Sequence, residues 1–442
     1  MEVRDASAGY APQVELPVVP EGYKQTEVGV IPEDWNLVIL DALCERITKG
    51  TTPTTLGRRY VNSGVSFLKA EAISESGRVI RSKLAFIDPK THELLSRSEL
   101  KEGDLLISIA GVLGRVGSID ECILPANTNQ ALAVIRLSKR ADVIPNFVLW
   151  CLRGEAVQAR IRDISVQGAQ ANISLTDVRN FWLLLPQLPE QRAIGTALSD
   201  VDALLEALDR LIAKKRDIKQ ATMQQLLTAQ TRLPGFEGEW DVRSLLEIAD
   251  NQKSLFDDGD WVEAEHITDQ GIRLVQTGNI GEGTFVEKAT RKYINEASFH
   301  KLKCKELEEG DILICRLAEP AGRACILPDI GESRVITSVD VTIFRPRLEI
   351  ADRGFLVQYF STSDWFKKVL DNVGGTTHKR ISRGALGKLK VPFPPVEEQK
   401  AIAKVLTDMD ADLEALRERR TKTAALKQAM MQQLLTGRTR LV

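Results

Sequence analysis

No stretch of the 442 residues approaches the ~18 uninterrupted apolar residues that a membrane span requires. The opening residues, MEVRDASAGYAPQVELP, lack the basic start and apolar stretch of a secretory signal. A cytoplasmic protein with no membrane contact is therefore expected. Cysteine is sparse and unpatterned. Cys44, Cys122, Cys151, Cys304, Cys315 and Cys325 form no C-x-x-C pair, so they read as reduced packing residues rather than a disulfide framework or a zinc site. His92, His266, His300 and His378 are far apart and have no ligand spacing, so no metal is expected. A charge excess is lacking too: Lys+Arg 59 against Asp+Glu 61 leaves a net charge of −2, which excludes a globally basic nucleic-acid coat but not local patches.

Motifs for chemistry are also missing. Without a G-x-x-x-x-G-K-[ST] loop, ATP-driven translocation by this chain is not expected. There is no Asn-Pro-Pro-aromatic run of the adenine-methyltransferase kind, since Phe393-Pro394-Pro395 lacks the amide that would hold the amino group. No glycine-rich fingerprint follows a strand, so no cofactor site is expected in this chain. Asp88 with Glu99-x-Lys101 faintly resembles the carboxylate–lysine set of metal-dependent nucleases, but such triplets are common in charged loops. The residues describe a reader with no reaction of its own.

What is present is a duplication. Apolar residues at 43% and charged residues at 27% fit a globular chain, and the length fits two to four units. The 44 residues from Glu190, EQRAIGTALSDVDALLEALDRLIAKKRDIKQATMQQLLTAQTRL, align without a gap to those from Glu398, 208 positions on. About 25 of the 44 positions are identical. Fainter echoes precede each copy. Glu33-Asp34-Trp35 answers Gly238-Glu239-Trp240, Gly103-Asp104 answers Gly310-Asp311, and Ile173-Ser174 answers Ile381-Ser382. The expected organisation is a leader over 1–20, variable domains over 21–189 and 234–397, and near-constant helical regions over 190–233 and 398–442.

In the first helical region Ile194, Leu198, Val201, Leu205, Leu208 and Ile212 recur at alternating steps of four and three, the seam of a left-handed coiled coil. In the second, Ile402, Leu406, Met409, Leu413 and Leu416 do so until Arg420, and Met430 and Leu434 resume it. Pro186, Pro189, Pro394 and Pro395 are placed just before helices of roughly 35 residues, about 50 Å long. Each helix could pack on its own globular neighbour. The likeness of the two seams favours an antiparallel pair with the globular parts at opposite ends. The fold class expected is α+β: two mixed α/β domains separated by a pair of long antiparallel coiled-coil helices.

Both variable domains carry short β-rich runs between Gly- and Thr-rich loops, and both carry a basic patch. Residues 46–83 hold eight Lys/Arg against two Glu, and residues 367–390 hold seven against Asp371. Such runs are often only a solvated face. Here they accompany loops suited to phosphate and base-edge contact: 49–55, 167–172 and 374–380. The candidate DNA contacts on this chemistry are Lys49, Thr51, Thr52, Thr54, Arg58, Lys69, Arg115, Gln130, Gln170, Asn172, Arg323, Thr377, His378, Lys379 and Arg380.

LLLPQLPEQRAI and VPFPPVEEQKAI with the helices after them, the IPEDW opening, and Gly168-x-Gln170-x-Asn172-Ile173-Ser174 together resemble the specificity subunits of type I restriction–modification enzymes. The resemblance covers nearly the whole chain. It implies two target recognition domains that each read part of a bipartite site on double-stranded DNA, and helices that set the unread spacer. It further implies docking of two methyltransferase subunits, with motor–nuclease subunits attached through them. S-adenosylmethionine, ATP and Mg would belong to those partners. The second domain departs from the first: His378-Lys379-Arg380 replaces Gln170-Ala171-Asn172, and no counterpart of the Thr/Pro loop at 51–55 is evident. An asymmetric target is expected. A self-contained methyltransferase or nuclease, and a scaffold that binds no DNA, are the competing readings.

Overall fold

The protein is described here by a computed structural model covering residues 19–167, 172–317, 319–375 and 379–441. Two compact units are present, one of residues up to Leu208 with those from Arg419 onward, the other of Asp209–Glu418.

In the first unit an antiparallel sheet runs in the order Cys44–Lys49, Leu132–Leu137, Leu105–Ser108, Val116–Ser118. Strand Leu105–Ser108 is buried along its whole length because it separates two cores. Leu105 and Ile107 join Trp35, Phe147, Trp150 and Ile194 on the helical side, while Leu106 joins Leu68, Leu100 and Val134 on the other. A strand covered on both faces needs an unbroken apolar run, and the sequence supplies one there. A second sheet runs Ala85–Ile87, Val65–Leu68, Ala126–Thr128, Glu99–Leu100 around a parallel pair.

The second unit repeats this plan. Its antiparallel sheet has the order Phe256–Asp258, Val341–Phe344, Ile312–Cys315, Ala324–Ile326, and its second sheet pairs Ile272–Val275 in parallel with Val335–Thr337. Ile312 and Ile314 again face the helical core, and Leu313 and Cys315 the other. Asp104 accepts both nitrogens of a bidentate Arg136, and Asp311 those of Arg345, all at 2.7 Å. The echo between Gly103-Asp104 and Gly310-Asp311 thus marks one buried ion pair used twice.

The long helices are Leu188–Leu226 and Val396–Leu434, 39 residues each and so ~58 Å long. The second begins directly after Pro395, as the prolines suggest, whereas the first begins earlier than its own. Pro189 lies inside the first turn, where its missing N–H would have had no partner in any case. Ile194, Leu198, Leu205, Leu208 and Ile212 are buried, and so are Ile402, Leu406 and Leu413. Gly195 lets the first helix approach Pro145–Arg153 closely. A Cβ there would stand 3.3 Å from the Phe147 nitrogen, and Asn146 donates to the Gly195 carbonyl at 3.0 Å. Within the first unit Lys427 pairs with Asp202. Within the second, Lys215 pairs with Asp412 at 2.8 Å and Lys219 with Asp410 at 2.5 Å. Rising numbers on one segment meet falling numbers on the other, so the two helix segments in that unit run antiparallel.

Among the described residues no helix is long and apolar enough to cross a membrane. All six cysteines are free, and only Cys122 is exposed. Burial pushes the Cys44 and Cys325 thiols up to about 12 and Cys304 up to about 11. One fast-reacting thiol per folded chain is expected at pH 8, rising to six after denaturation. Cys122→Ser should remove the fast one, as a thiol-reagent time course would show.

Candidate nucleic-acid interface

The Glu-Gln pair that opens each near-constant region has a structural task in each unit. Glu190 is 2% exposed; it accepts from Trp35 Nε1 at 3.0 Å and from Arg440 at 2.7 and 2.8 Å. Arg440 also chelates Asp34 and lies 5.7 Å from the Trp35 ring centre, and its guanidinium holds the Asp34 carboxyl below the usual range. In the second unit Glu398 does the same with Trp240 Nε1 and Arg232. Gln191 accepts from the Ile144 nitrogen and donates to the Asp142 and Pro186 carbonyls; Gln399 repeats this with Asp352, Ile350 and Pro394. The sequence repeat therefore includes Thr-Arg-Leu at the far end because each arginine closes on the glutamate of the other copy.

Above these locks, strand registers align the two units residue by residue. Lys49 lies opposite Ala133, and Asp258 opposite Thr342. Gly50 and Gly259 follow, each so close to the next strand that a Cβ would strike the carbonyl of Thr128 or Thr337. The hydroxyls of Thr128 and Thr337 donate to the Leu68 and Val275 carbonyls. Lys69 and Gln276, the residues after those carbonyls, are therefore equivalent.

This frame brings Thr51, Thr52, Lys69 and Gln130 to one corner of the first unit. The Thr52 hydroxyl bonds Gln130, and Arg97 donates to the Thr51 hydroxyl at 3.1 Å. The Lys69 ammonium lies 4.6 Å from the Tyr60 ring centre. Lys49, Thr54, Arg58 and Gln130 are exposed. Asn172 and Arg380 occupy matching bridges, to Ala110 and Leu317, and both are exposed. Lys379 is exposed beside Arg380, which reaches Asp340 at 3.3 Å. Gln170, Thr377 and His378 lie outside the described residues.

Arg115 and Arg323 are also equivalent, and their guanidinium groups face inward. Arg115 donates to the Ile73 carbonyl, and Arg323 to the carbonyls of Ile280, Thr277 and Pro320. Asp88 caps the helix Pro89–Leu94, accepting from the Thr91 hydroxyl and, at 3.0 Å, from the Thr91 nitrogen, and these bonds, the hydroxyl's first, keep its carboxyl low. Among the described residues no group of three or more His, Cys, Asp or Glu is arranged to hold a metal ion.

The Thr/Pro loop at 51–55 does have a counterpart in the second unit. Asp260 and Trp261 stand where Thr51 and Thr52 stand in the first unit. Composition concealed this because only the glycine before them is shared, the backbone contact it permits being what the fold requires. Here Asp260 accepts from the Lys305 nitrogen at 2.7 Å, and Asp258 lies 3.1 Å from Arg316. Burial pushes both carboxyls up, against the pull of those cations. Beside them opens a cavity of about 450 Å³ lined by Trp261, Gln276, Lys288, Lys292 and Asp340, among others.

Two like frames with unlike polar corners define a two-domain reader with duplicated architecture. The chain belongs to the type I restriction-modification DNA specificity family, whose profile matches residues 32–215 and again 237–424. It is 26% identical over 439 residues to a putative type I restriction enzyme MjaX specificity subunit of Methanocaldococcus jannaschii, spanning 95% of this chain and 97% of that one. To the MjaVIII specificity subunit of the same organism it is 24% identical, spanning 95% and 96%. A chain from a structural study of complex assembly and conformational transition in a type I R-M system shares its fold. That match has a TM-score of 0.57 and 19% identity, and covers 92% of this chain and 99% of that one.

Proposed function

We propose that the chain is the non-catalytic DNA reader of a cytoplasmic type I restriction–modification complex. Each recognition domain, residues 21–189 and 234–397, reads one half of a bipartite asymmetric site on double-stranded DNA. The helices over 190–233 and 398–442 pair as an antiparallel coiled coil, set the spacer, and dock two methyltransferase subunits. Motor–nuclease subunits attach through these, and S-adenosylmethionine, ATP and Mg act on the partners. Leu211 and Ile218, seven residues apart on the first helix and 40% and 44% exposed, offer apolar surface for such docking.

The observation that carries this reading is the unlike chemistry of the two corners on one shared frame: Thr51, Thr52 and Lys69 against Asp260, Trp261 and Gln276. A scaffold has no need to vary an exposed corner while keeping the glycine, threonine and arginine beneath it. The test is selection from a DNA library by the chain with its methyltransferase partner. Recovery of two unlike half-sites at a fixed spacing supports the proposal; recovery of no common motif refutes it. Lys379→Ala with Arg380→Ala should weaken binding to all sequences alike and lower the slope of log K against log salt by about 1–2, as a salt titration would show.

A further inference from the structure

The cavity beside Trp261 is lined wholly by residues of the second unit, and no sequence motif marks it. Trp261 is 63% exposed, the most exposed of the six tryptophans, on a loop held at its base by Gly259 and by Asp260. A largely bare indole on an anchored loop is an apolar contact surface. Its Nε1 donates to Glu263 at 3.0 Å, which fixes how the ring stands over the cavity edge. Half-buried Gln276 lines the same cavity, and Lys288 and Lys292 supply positive charge at its rim.

Position carries the argument further than composition. Gln276 stands at the place of Lys69, and Trp261 at the place of Thr52, as the registers and the paired threonine hydroxyls establish. In the first unit the corner is bridged by the Thr52–Gln130 hydrogen bond. In the second, Val339 takes the place of Gln130, so that bridge cannot form and the corner stays open. A primary amide can donate its N–H to adenine N7 while its carbonyl oxygen accepts from adenine N6, whereas an ammonium suits the two acceptors of guanine. An indole edge suits the thymine methyl.

Resting on the specificity-subunit reading above, we propose that Gln276 and Trp261 determine specificity in the second domain by reading the major-groove edge of an A·T pair. Lys69 reads a G·C pair at the matching place in the first. Gln276 contacts the adenine, Trp261 the thymine methyl, and Lys288 and Lys292 the flanking phosphates. The two half-sites differ there because one side chain on a common frame differs.

The experiment uses the full chain with its methyltransferase partner and a DNA library randomised in both half-sites, with bound DNA sequenced. Gln276→Lys should shift one position of the second half-site from A·T to G·C by on the order of tenfold and leave the first half-site unchanged. Trp261→Ala should relax the same or the adjacent position without altering the salt slope. Since Trp261 is exposed and Gln276→Lys copies the first unit, continued selection of the unaltered positions of the second half-site reports that both variants are folded. Unchanged motifs in both half-sites, or an equal loss of affinity for every sequence, overturn the proposal. If the unaltered chain selects no motif, the underlying functional reading falls instead.

Discussion

Glu190→Ala should lower the stability of the first unit by about 3 kcal/mol, the low end of the range for breaking a buried ion pair. The substitution leaves the Trp35 indole N–H buried without an acceptor and takes from Arg440 one of its two carboxylates. For a unit of this size that is a fall in Tm of about 6–12 °C, readable by calorimetry as a shift of one transition. Glu190→Gln keeps one acceptor oxygen and should cost about half as much. Lys404→Ala, which breaks an exposed pair with Asp408 one turn away, should leave the melting profile unchanged. Equal melting of Glu190→Ala and the unaltered chain would show that the Trp–Glu–Arg lock holds nothing. The lock also explains why the repeat extends from Glu-Gln to Thr-Arg-Leu. In each unit the glutamate at a helix start meets the arginine just past the end of the other helix, so neither end can change alone.

The second large effect concerns the helices as a ruler. Removing a four-residue turn from the middle of both long helices should shorten the preferred spacer by about two base pairs, since four residues span ~6 Å and one base-pair step ~3.4 Å. Both half-site sequences should stay as they were. Removal from both helices preserves the order of facing pairs such as Lys215–Asp412 and Lys219–Asp410. The readout is the motif methylated by the assembled complex. A spacer of unchanged length would end the ruler role, and loss of both half-sites together would show that the helices hold the readers rather than space them.

The sequence showed the repeat, the long helices and the buried seam because these rest on periodicity and identity, which lie along the chain. Leu198, Leu208 and Leu406 were legible as core from spacing alone, and all are buried. The Glu-Gln pairs were legible as a signature but not as a lock, because their partners Trp35 and Arg440 stand 155 and 250 residues away. The early helix start at Leu188 was hidden by Pro189, which is tolerated in a first turn.

The candidate interface was legible in its first half and hidden in its second. Lys49-Gly50-Thr51-Thr52 advertises itself by composition, whereas Asp258-Gly259-Asp260-Trp261 looks acidic and unrelated. Only strand register makes them equivalent, because the frame constrains the backbone path around the glycine and leaves the flanking side chains free to differ. Likewise the inward aim of Arg115 and Arg323 could not be read from residue type, since a guanidinium serves a phosphate or a buried carbonyl equally well. By itself, then, the sequence determined the duplicated α+β plan and the family. Which side chains share a corner was decided by tertiary structure alone, because strand pairing joins residues that neither periodicity nor proximity along the chain connects.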